Sequence, residues 1–223
     1  MTERPAVRIT VSEDGPYRVR GGPPVIPGRI LYDEDGQSKE WGYDEPLPTG
    51  RLAVLCRCGQ SKTKPFCDDS HLTNGFDGTE TADRGPTADR REAYPGHGVT
   101  LTDDESLCTT AAFCHDLVTN VWELTIERSG EPEARRRIEG IVSRCPSGRL
   151  VLVKDDGEEV EPEFEPSVVV EENGPYWVRG RILVESADGT GWEVRNRVAL
   201  CRCGASRNKP FCDASHREIG FTG

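Results

Sequence analysis

The sequence has no long hydrophobic run and little apolar content overall. Hydrophobic residues make up 35% of the 223-residue chain, and no run of them approaches the roughly 20 residues that a membrane-spanning helix needs. We therefore expect no membrane segment. The first residues, Met1–Pro5, contain no apolar targeting core, so we expect a cytoplasmic protein.

Common catalytic motifs and excess positive charge are also missing. The chain has no P-loop, Rossmann glycine fingerprint, Ser/His/Asp arrangement or paired-carboxylate pattern, so we do not expect an enzyme. Its 28 Lys and Arg residues face 39 Asp and Glu residues, which gives a net charge of −11. Nucleic acid is disfavoured as a partner, because phosphates would be repelled.

Cysteine, in contrast, is abundant and arranged in a repeat. The stretch Leu55–His71 reappears as Leu200–His216, and both copies read C-x-C-x8-C-x3-H. The ligand types of this grid are found at Cys56, Cys58, Cys67, His71, Cys201, Cys203, Cys212 and His216. Three thiolates and one imidazole form a complete four-ligand set for a soft metal centre. Both ligand types bind only without their proton, so we expect metal binding to depend on pH.

The grid resembles the CDGSH iron–sulfur domain. The matching positions are a hydroxyl residue, a proline and an aspartate, namely Ser61, Pro65 and Asp68 in the first copy and Ser206, Pro210 and Asp213 in the second. Both copies depart from the family glycine, which is replaced by Asp69 and by Ala214. A glycine there usually allows a tight turn, and Asp tolerates a positive φ better than Ala does.

The resemblance implies one [2Fe–2S] cluster in each copy, with two cysteines on one iron and a cysteine and the histidine on the other. Spacing alone leaves structural zinc open, although zinc sites favour two to four residues between paired cysteines. A disulfide framework is disfavoured, because the nine cysteines are an odd number and the chain carries no signal peptide.

The repeat extends upstream of the ligands. Gly15–Gly21 matches Gly174–Gly180, and these runs have the alternation of short strands bounded by turn signals. The first copy is longer, with loop insertions expected at Gly22–Pro27 and Tyr43–Thr49. Each copy is predicted to be a small antiparallel β unit.

Each unit is expected to continue into a cluster-binding loop and a short helix near Pro65–His71 or Pro210–His216. A unit of this size buries little core alone, so we expect the two copies to pack within one chain as a pseudo-dimer, and the chain to be a monomer.

The remaining cysteines, Cys108, Cys114 and Cys145, lie between the two copies, and the last is followed by Pro146. A closing Cys-Pro is a ferredoxin feature. The region is similar to a divergent single-cluster ferredoxin-like domain, with Ala111 where one ligand would stand. That resemblance implies a third cluster, [3Fe–4S] or alternatively [4Fe–4S]. The alternative from the residues alone is three buried small side chains.

Around these cysteines, periodicity predicts a strand over Asn120–Arg128, a helix over Ala134–Arg144 and a strand over Leu150–Val153. The predicted fold is therefore α+β and β-rich. Its segments are a first CDGSH module (1–76), a linker (77–96), a ferredoxin-like module (97–154), an acidic linker (155–166) and a second CDGSH module (167–223).

The function expected from these features is electron transfer or redox sensing, with a redox protein as partner. The alternative is storage of clusters and their transfer to apo iron–sulfur proteins. Basic residues flank both ligand grids and either dock an acidic partner or offset the charge of a cluster; they are Arg57, Lys62, Lys64, Arg202, Arg207 and Lys209.

Overall fold

Three β-sheets and three α-helices make up the computed structural model, which describes residues 7–223. In chain order the strands are β1 (Arg8–Val11), β2 (Tyr17–Arg20), β3 (Val25–Tyr32), β4 (Ser38–Tyr43), β5 (Leu52–Leu55), β6 (Glu92–Pro95), β7 (Val99–Asp103), β8 (Leu150–Lys154), β9 (Glu159–Val160), β10 (Ser167–Glu171), β11 (Tyr176–Arg179), β12 (Leu183–Ser186) and β13 (Arg197–Leu200). The helices are α1 (Val121–Arg128), α2 (Pro132–Arg144) and α3 (Ser215–Glu218), and single 3-10 turns lie at Ser70–Leu72, Thr87–Asp89 and Glu105–Leu107.

Each repeat contributes strands to a sheet of the other. The first sheet has the order β12-β1-β2-β5 and the second has the order β13-β11-β10-β3-β4. Ile9 lies opposite Val184 in the parallel pair β1·β12, and Val25 lies opposite Val168 in the parallel pair β3·β10. Parallel neighbours need a long crossover connection, which the rest of the chain supplies. The two repeats therefore pack within one chain, as predicted, and neither sheet is complete without both.

One apolar core lies between these two sheets, and two tyrosines stand at its centre. Tyr17 of β2 and Tyr176 of β11 are fully buried, and their rings meet edge to face at 5.9 Å. Around them pack mostly valine, leucine and isoleucine from both repeats. The alternation of each strand places these residues on one face, and their burial removes apolar surface from water.

The middle module, residues 92–160, has a core of its own. Its sheet has the order β6-β7-β8-β9, and α1 and α2 pack against it through Leu101, Leu124, Ile138 and Leu152. The last residues of the predicted first linker form β6, and β9 lies within the predicted acidic linker.

The prediction of a strand over Asn120–Arg128 is wrong, because this segment is helix α1. The Asn120 side chain accepts a hydrogen bond from the Glu123 amide at 2.9 Å, which is an N-cap. The buried residues Val121, Leu124 and Thr125 follow helical spacing. The other two elements match their predictions, and α2 begins at Pro132, which suits the first position of a helix.

Two further expectations for the repeats need correction. The predicted loop Gly22–Pro27 is half strand, because Val25 is fully buried against β10, whose sequence lies far downstream. The short helices do not begin at the prolines. The Cys67 amide donates to the Val54 carbonyl at 2.9 Å, which pairs this segment with β5, and the helical turn begins only at Ser70.

The middle module is attached to the second repeat by a buried guanidinium. Arg197 donates to the carbonyls of Cys145 at 2.8 Å and Leu150 at 3.1 Å, and it pairs with Glu161. Trp41 of the first repeat adds a second attachment, since its indole donates to the Arg144 carbonyl at 3.0 Å. In the described part of the chain, no helix is long and apolar enough to cross a membrane.

Candidate metal centres

The first site consists of Cys56, Cys58, Cys67 and His71. The Sγ atoms of Cys56 and Cys58 lie 3.8 Å apart, and Cys67 Sγ lies 3.5 Å from His71 Nδ1. The loop that carries them closes on β5 through the Cys56 amide, which donates to the Pro65 carbonyl at 2.8 Å. The fold thus brings the predicted ligands into a thiol pair and a thiol–imidazole pair.

The second site consists of Cys201, Cys203, Cys212 and His216 and has the same geometry. Its thiol pair is 3.8 Å apart, and Cys212 Sγ lies 3.4 Å from His216 Nδ1. The hydroxyl of Ser206 donates to the Phe211 carbonyl at 2.7 Å, as Ser61 does to Phe66 at 2.6 Å. The repeated serines therefore brace both loops from within.

The aspartate after the third cysteine holds the rest of each loop. Asp68 accepts from the Lys62 amide at 2.8 Å and from the Ser70 hydroxyl at 2.6 Å. The Ser70 hydroxyl and the Lys62 amide hold the pKa of the Asp68 carboxyl well below its usual range. Asp213 makes equivalent bonds to Arg207 and Ser215. These carboxylates tie the loop between the cysteines to the turn that carries the histidine.

The family-glycine position adopts the left-handed conformation in both repeats. Asp69 has φ 65° and Ala214 has φ 70°, which costs an L-residue about 1 kcal/mol. Each amide then points at the preceding cysteine, with N–Sγ distances of 3.4 Å to Cys67 and to Cys212. The turn forms without glycine, and its amide is available to a thiolate.

The donor chemistry fits the cluster that the sequence predicts. Burial raises the pKa of the Cys56 thiol, while the amides of Ser61 and Gly59 stabilise its thiolate. In the second site the hydrogen bond with Cys203 and burial raise the pKa of Cys201 well above its usual value. Buried thiols of this kind stay protonated unless a cation replaces the proton. A metal centre in each loop explains their burial, close spacing and amide donors.

Each repeat also holds the loop of the other. Tyr17 donates to the Cys201 carbonyl at 2.9 Å, and Tyr176 donates to the Cys56 carbonyl at 2.9 Å. The loops themselves approach closely, since a Cβ on Gly59 would lie 2.4 Å from the Cys203 carbonyl oxygen. Sequence reasoning missed this role of the tyrosines. The sequence did mark both tyrosines, because each ends a Gly-Pro-Tyr that occurs in both repeats.

The basic residues beside the ligands do not all lie at the surface. Arg57 and Arg202 are buried and donate to the carbonyls of Ser12 at 3.1 Å and Glu171 at 2.7 Å. Both guanidinium groups also lie 5.7 Å from a tyrosine ring, Arg57 over Tyr17 and Arg202 over Tyr176. These two arginines are therefore part of the core rather than of a docking surface.

The two sites differ in exposure. Cys67 and His71 are half-buried, whereas Cys212 and His216 are each 4% exposed. Burial lowers the pKa of His216 to about 4. The loop of the second site is also bonded from outside its own repeat, since the amides of Thr81 and Ala82 donate to the Lys209 carbonyl at 2.8 and 2.9 Å.

The third site consists of Cys108, Cys114 and Cys145. All three line a small cavity of about 30 Å³ together with Ala111 and Arg149. Burial and the neighbouring Cys145 raise the pKa of Cys114 to about 11. The fold therefore brings Cys145 to the loop that carries Cys108 and Cys114, and Ala111 lies among them without a ligand atom.

The loop around this cavity is suited to an anionic group. Thr110 and Ala112 have φ of 58° and 60°, and residues in alternating left-handed conformation point successive amides to one side. Arg149 is held by Asp103 at 2.6 Å and also contacts Cys108. A negatively charged cluster fits this surrounding.

The residues beside Cys114 do not complete a fourth ligand in the cavity. His115 Nδ1 lies 3.6 Å from Cys114 Sγ, but His115 is not part of the cavity lining. Asp116 pairs with Arg137 of α2 and caps the amides of Val118 and Thr119. His97, at the turn between β6 and β7, is exposed.

The comparisons agree with this arrangement. Residues 14–72 and 173–217 match the family model described as iron-binding zinc finger, CDGSH type. Residues 94–155 match the family model described as a divergent 4Fe-4S mono-cluster. No curated protein matches the chain.

Proposed function

Because this chain belongs to the CDGSH iron–sulfur family and carries a divergent 4Fe-4S domain between its two CDGSH domains, we propose that it is an electron carrier with three clusters. A bound iron–sulfur cluster takes up and gives back single electrons at a potential that its ligands and surroundings set. The first and second sites each hold one [2Fe–2S] cluster. The third site holds [3Fe–4S], or [4Fe–4S] if a non-protein ligand fills the place of Ala111.

The observation that carries the proposal is the direct contact between the loops of the second and third sites. Arg217, next to His216, donates to the Thr110 carbonyl at 3.0 Å. Asn208 donates to the Ser106 carbonyl at 3.4 Å. The close approach of Gly59 to Cys203 joins the loops of the first and second sites in the same way. Three adjoining sites support the passage of electrons through one chain better than they support cluster storage.

Iron and sulfide analysis with electron paramagnetic resonance tests this proposal. We expect the oxidised protein to give a [3Fe–4S] signal, and dithionite to replace it with reduced [2Fe–2S] signals broadened by neighbouring spins. Cys108→Ala should remove the first signal and sharpen the others. Glu133→Gln, on the exposed first turn of α2 and thus at the other end of the helix from Cys145, serves as control. Zinc in place of iron, without visible absorbance, would contradict the proposal.

Cluster transfer is the second candidate function, and the exposure of Cys67 and His71 favours it. Solvent protons reach the imidazole of the first site more easily than that of the buried second site. On acidification we expect the visible absorbance of the two [2Fe–2S] clusters to fall in two phases. His71→Cys should slow the phase that begins at higher pH, and His216→Cys should slow the later one. Equal effects of the two variants on both phases would argue against transfer from the first site.

The other properties of the molecule remain predictions. We propose a carrier rather than an enzyme, acting as a monomer in the cytoplasm with a redox protein as partner. The net charge of −11 argues against nucleic acid as the partner.

A further inference from the structure

The first site has a donor that its twin lacks. Ligand atoms of Cys67, Asp69 and His71 all lie within 4.8 Å of one another, and this is the one such trio in residues 7–223. Asp69 Oδ1 is 3.8 Å from Cys67 Sγ. In the second repeat the same left-handed position holds Ala214, whose methyl group cannot bind a metal.

The Asp69 carboxylate is open to solvent and does not hold the loop through hydrogen bonds as the Asp68 carboxylate does. Asp69 is exposed, and its neighbours Cys67 and His71 are half-buried. Among the described residues, no Lys or Arg pairs with the Asp69 carboxylate. The loop is held instead by Asp68, which bonds Lys62 and Ser70. The Asp69 oxygens are thus available to a ligand.

One sulfur, one imidazole nitrogen and one carboxylate oxygen form a mixed donor set for a single divalent ion. Cysteine, histidine and carboxylate all bind divalent zinc in proteins, and imidazole and carboxylate are also ligands of ferrous iron. Three protein ligands leave further positions to water, which keeps such a site open to exchange. When Fe²⁺ binds, the Cys67 thiol releases its proton to solvent and the iron stays ferrous, so binding needs no oxidant or reductant. Release from an oxidised [2Fe–2S] cluster takes one electron per ferric iron from an external one-electron reductant, and the two bridging sulfides take up solvent protons and leave as H₂S.

We propose that iron enters and leaves this protein at the first site, through a single ferrous ion held by Cys67, Asp69 and His71. The second site has no equivalent intermediate and retains its cluster. This inference rests on the proposed function for the presence of clusters, but the ferrous site is defined by its own three residues. It also gives the replacement of the family glycine by aspartate a role that the turn does not require, since Ala214 forms the same turn.

The burial of the second site also supports iron exchange at the first site rather than at the second. Cys212 and His216 are covered, and the Glu171 side chain fills the space beside Gly174, with its carboxyl carbon 2.5 Å from where a Cβ would stand. In the first repeat Ser12 takes the place of Glu171 and Gly15 the place of Gly174. A Cβ built on Gly15 would lie 3.7 Å from His71 Nε2. Cys67 and His71 are therefore more open to a chelator or an acceptor protein than Cys212 and His216, of which His216 lines a surface cavity with Glu171 and Arg217.

The test uses the full chain, purified anaerobically with natural-abundance iron. A chelator is applied until the first phase of absorbance loss is complete and is then removed. One equivalent of ⁵⁷Fe²⁺ is added, and Mössbauer spectroscopy detects only the added isotope. We expect a high-spin ferrous doublet in the wild type. Asp69→Ala and Asp69→Asn should weaken ⁵⁷Fe²⁺ binding at least about tenfold, as loss of a metal-site partner does.

Asp69→Ala copies the residue of the second repeat, so the turn is kept, and Asp69→Asn keeps the shape of the side chain without its charge. Glu13→Gln, a nearby surface carboxylate, is the control and should bind ⁵⁷Fe²⁺ as the wild type does. Wild-type binding by both Asp69 variants would overturn the proposal.

A second measurement on the intact protein covers the case in which the partly stripped chain unfolds. With dithionite present as the reductant, the rate of the first phase of iron loss to a ferrous chelator should fall at least about tenfold in both Asp69 variants, and the later phase should not change. An unchanged first phase would overturn the proposal. If the purified protein contains no cluster, the proposed function is wrong. The ferrous site is then still tested by comparing ⁵⁷Fe²⁺ binding to the full chain with binding to the Asp69 variants.

Discussion

At the scale of single residues, the sites depend on side chains that bind no metal. Tyr17 and Tyr176 each reach across the core to the cysteine loop of the other repeat, and each bonds two carbonyls there. The consequence is that a substitution in one repeat acts on the site of the other. This crossed dependence distinguishes the two tyrosines from ordinary core residues.

We predict that Tyr17→Phe lowers the free energy of unfolding by about 1–2 kcal/mol, because buried carbonyls lose a donor while the ring packing stays. It should also speed loss of the second cluster and leave the first unchanged, and Tyr176→Phe should do the reverse. Denaturant unfolding and chelator-induced bleaching measure both effects. Tyr94→Phe is the control, since Tyr94 bonds only the surface residue Glu92. If Tyr17→Phe and Tyr176→Phe both speed the loss of the same cluster, the prediction is wrong.

Glu171 supplies a pH-dependent prediction. Burial raises its pKa to about 8 from 4.5, and its Oε2 has no hydrogen-bond partner among the described residues. The folded state therefore binds a proton that the unfolded state has released between these values, so stability falls as pH rises from about 4.5 to 8.

Glu171→Gln removes this titration, and we expect the advantage of the variant over wild type to grow between pH 6 and 8. The gain is about 1.4 kcal/mol for each pH unit of that range. Urea unfolding at a series of pH values measures it, with the exposed neighbour Glu172→Gln as control. Parallel pH curves for Glu171→Gln and the wild type would show that Glu171 does not titrate in this range.

At the scale of elements, local patterns in the sequence predicted more than long-range pairing did. Helix α2 and strand β8 could be read from their periodicity, because their buried faces depend on spacing within the segment. The segment Asn120–Arg128 was misread, since alternating apolar residues suggested a strand although Ile126 is 47% exposed. Strand β3 was missed at Val25, because its partner β10 lies far downstream and no local pattern indicates the pair.

The cap of α1 gives a prediction at this scale. Asn120→Ala should lower the free energy of unfolding by about 1 kcal/mol, because the Glu123 amide loses its acceptor. Asn120→Asp keeps an acceptor and should remain close to the wild type. The helix also anchors the third site, since the Val121 amide donates to the Cys114 carbonyl at 2.8 Å. Thermal unfolding with iron analysis of the variants checks both effects, and equal stability of the Ala and Asp variants would refute the capping role.

At the scale of the whole molecule, the modules form one unit through a few buried polar contacts. The ligand sets could be proposed from the repeated cysteine spacing, because metal geometry requires that spacing within one loop. The unequal cover of the two CDGSH sites could not be predicted. The contacts beside the second site join segments that are distant in sequence, as Thr81 and Ala82 do with Lys209 and Arg217 does with Thr110.

Arg197 is the central contact of this assembly. Arg197→Met should lower the free energy of unfolding by about 3–5 kcal/mol, because the mostly buried Glu161 loses its cationic partner, keeping only polar donors such as Asn196, and the carbonyls of Cys145 and Leu150 lose their donor. The double variant with Glu161→Gln should recover part of the loss. Hydrogen exchange should rise at the end of α2 in the single variant. If the single and double variants are equally unstable, the ion pair is not the source of the cost.

The exchanged strands β1·β12 and β3·β10 impose an order of events during synthesis. The first sheet needs β12 and the second needs β10, so the first repeat cannot finish folding when it leaves the ribosome. At about 5–20 residues per second, it waits on the order of 10 s for the second repeat. The middle module holds its sheet and helices within residues 92–160 and can fold during that wait. We therefore expect its three cysteines to come together before the two repeats have completed their shared sheets.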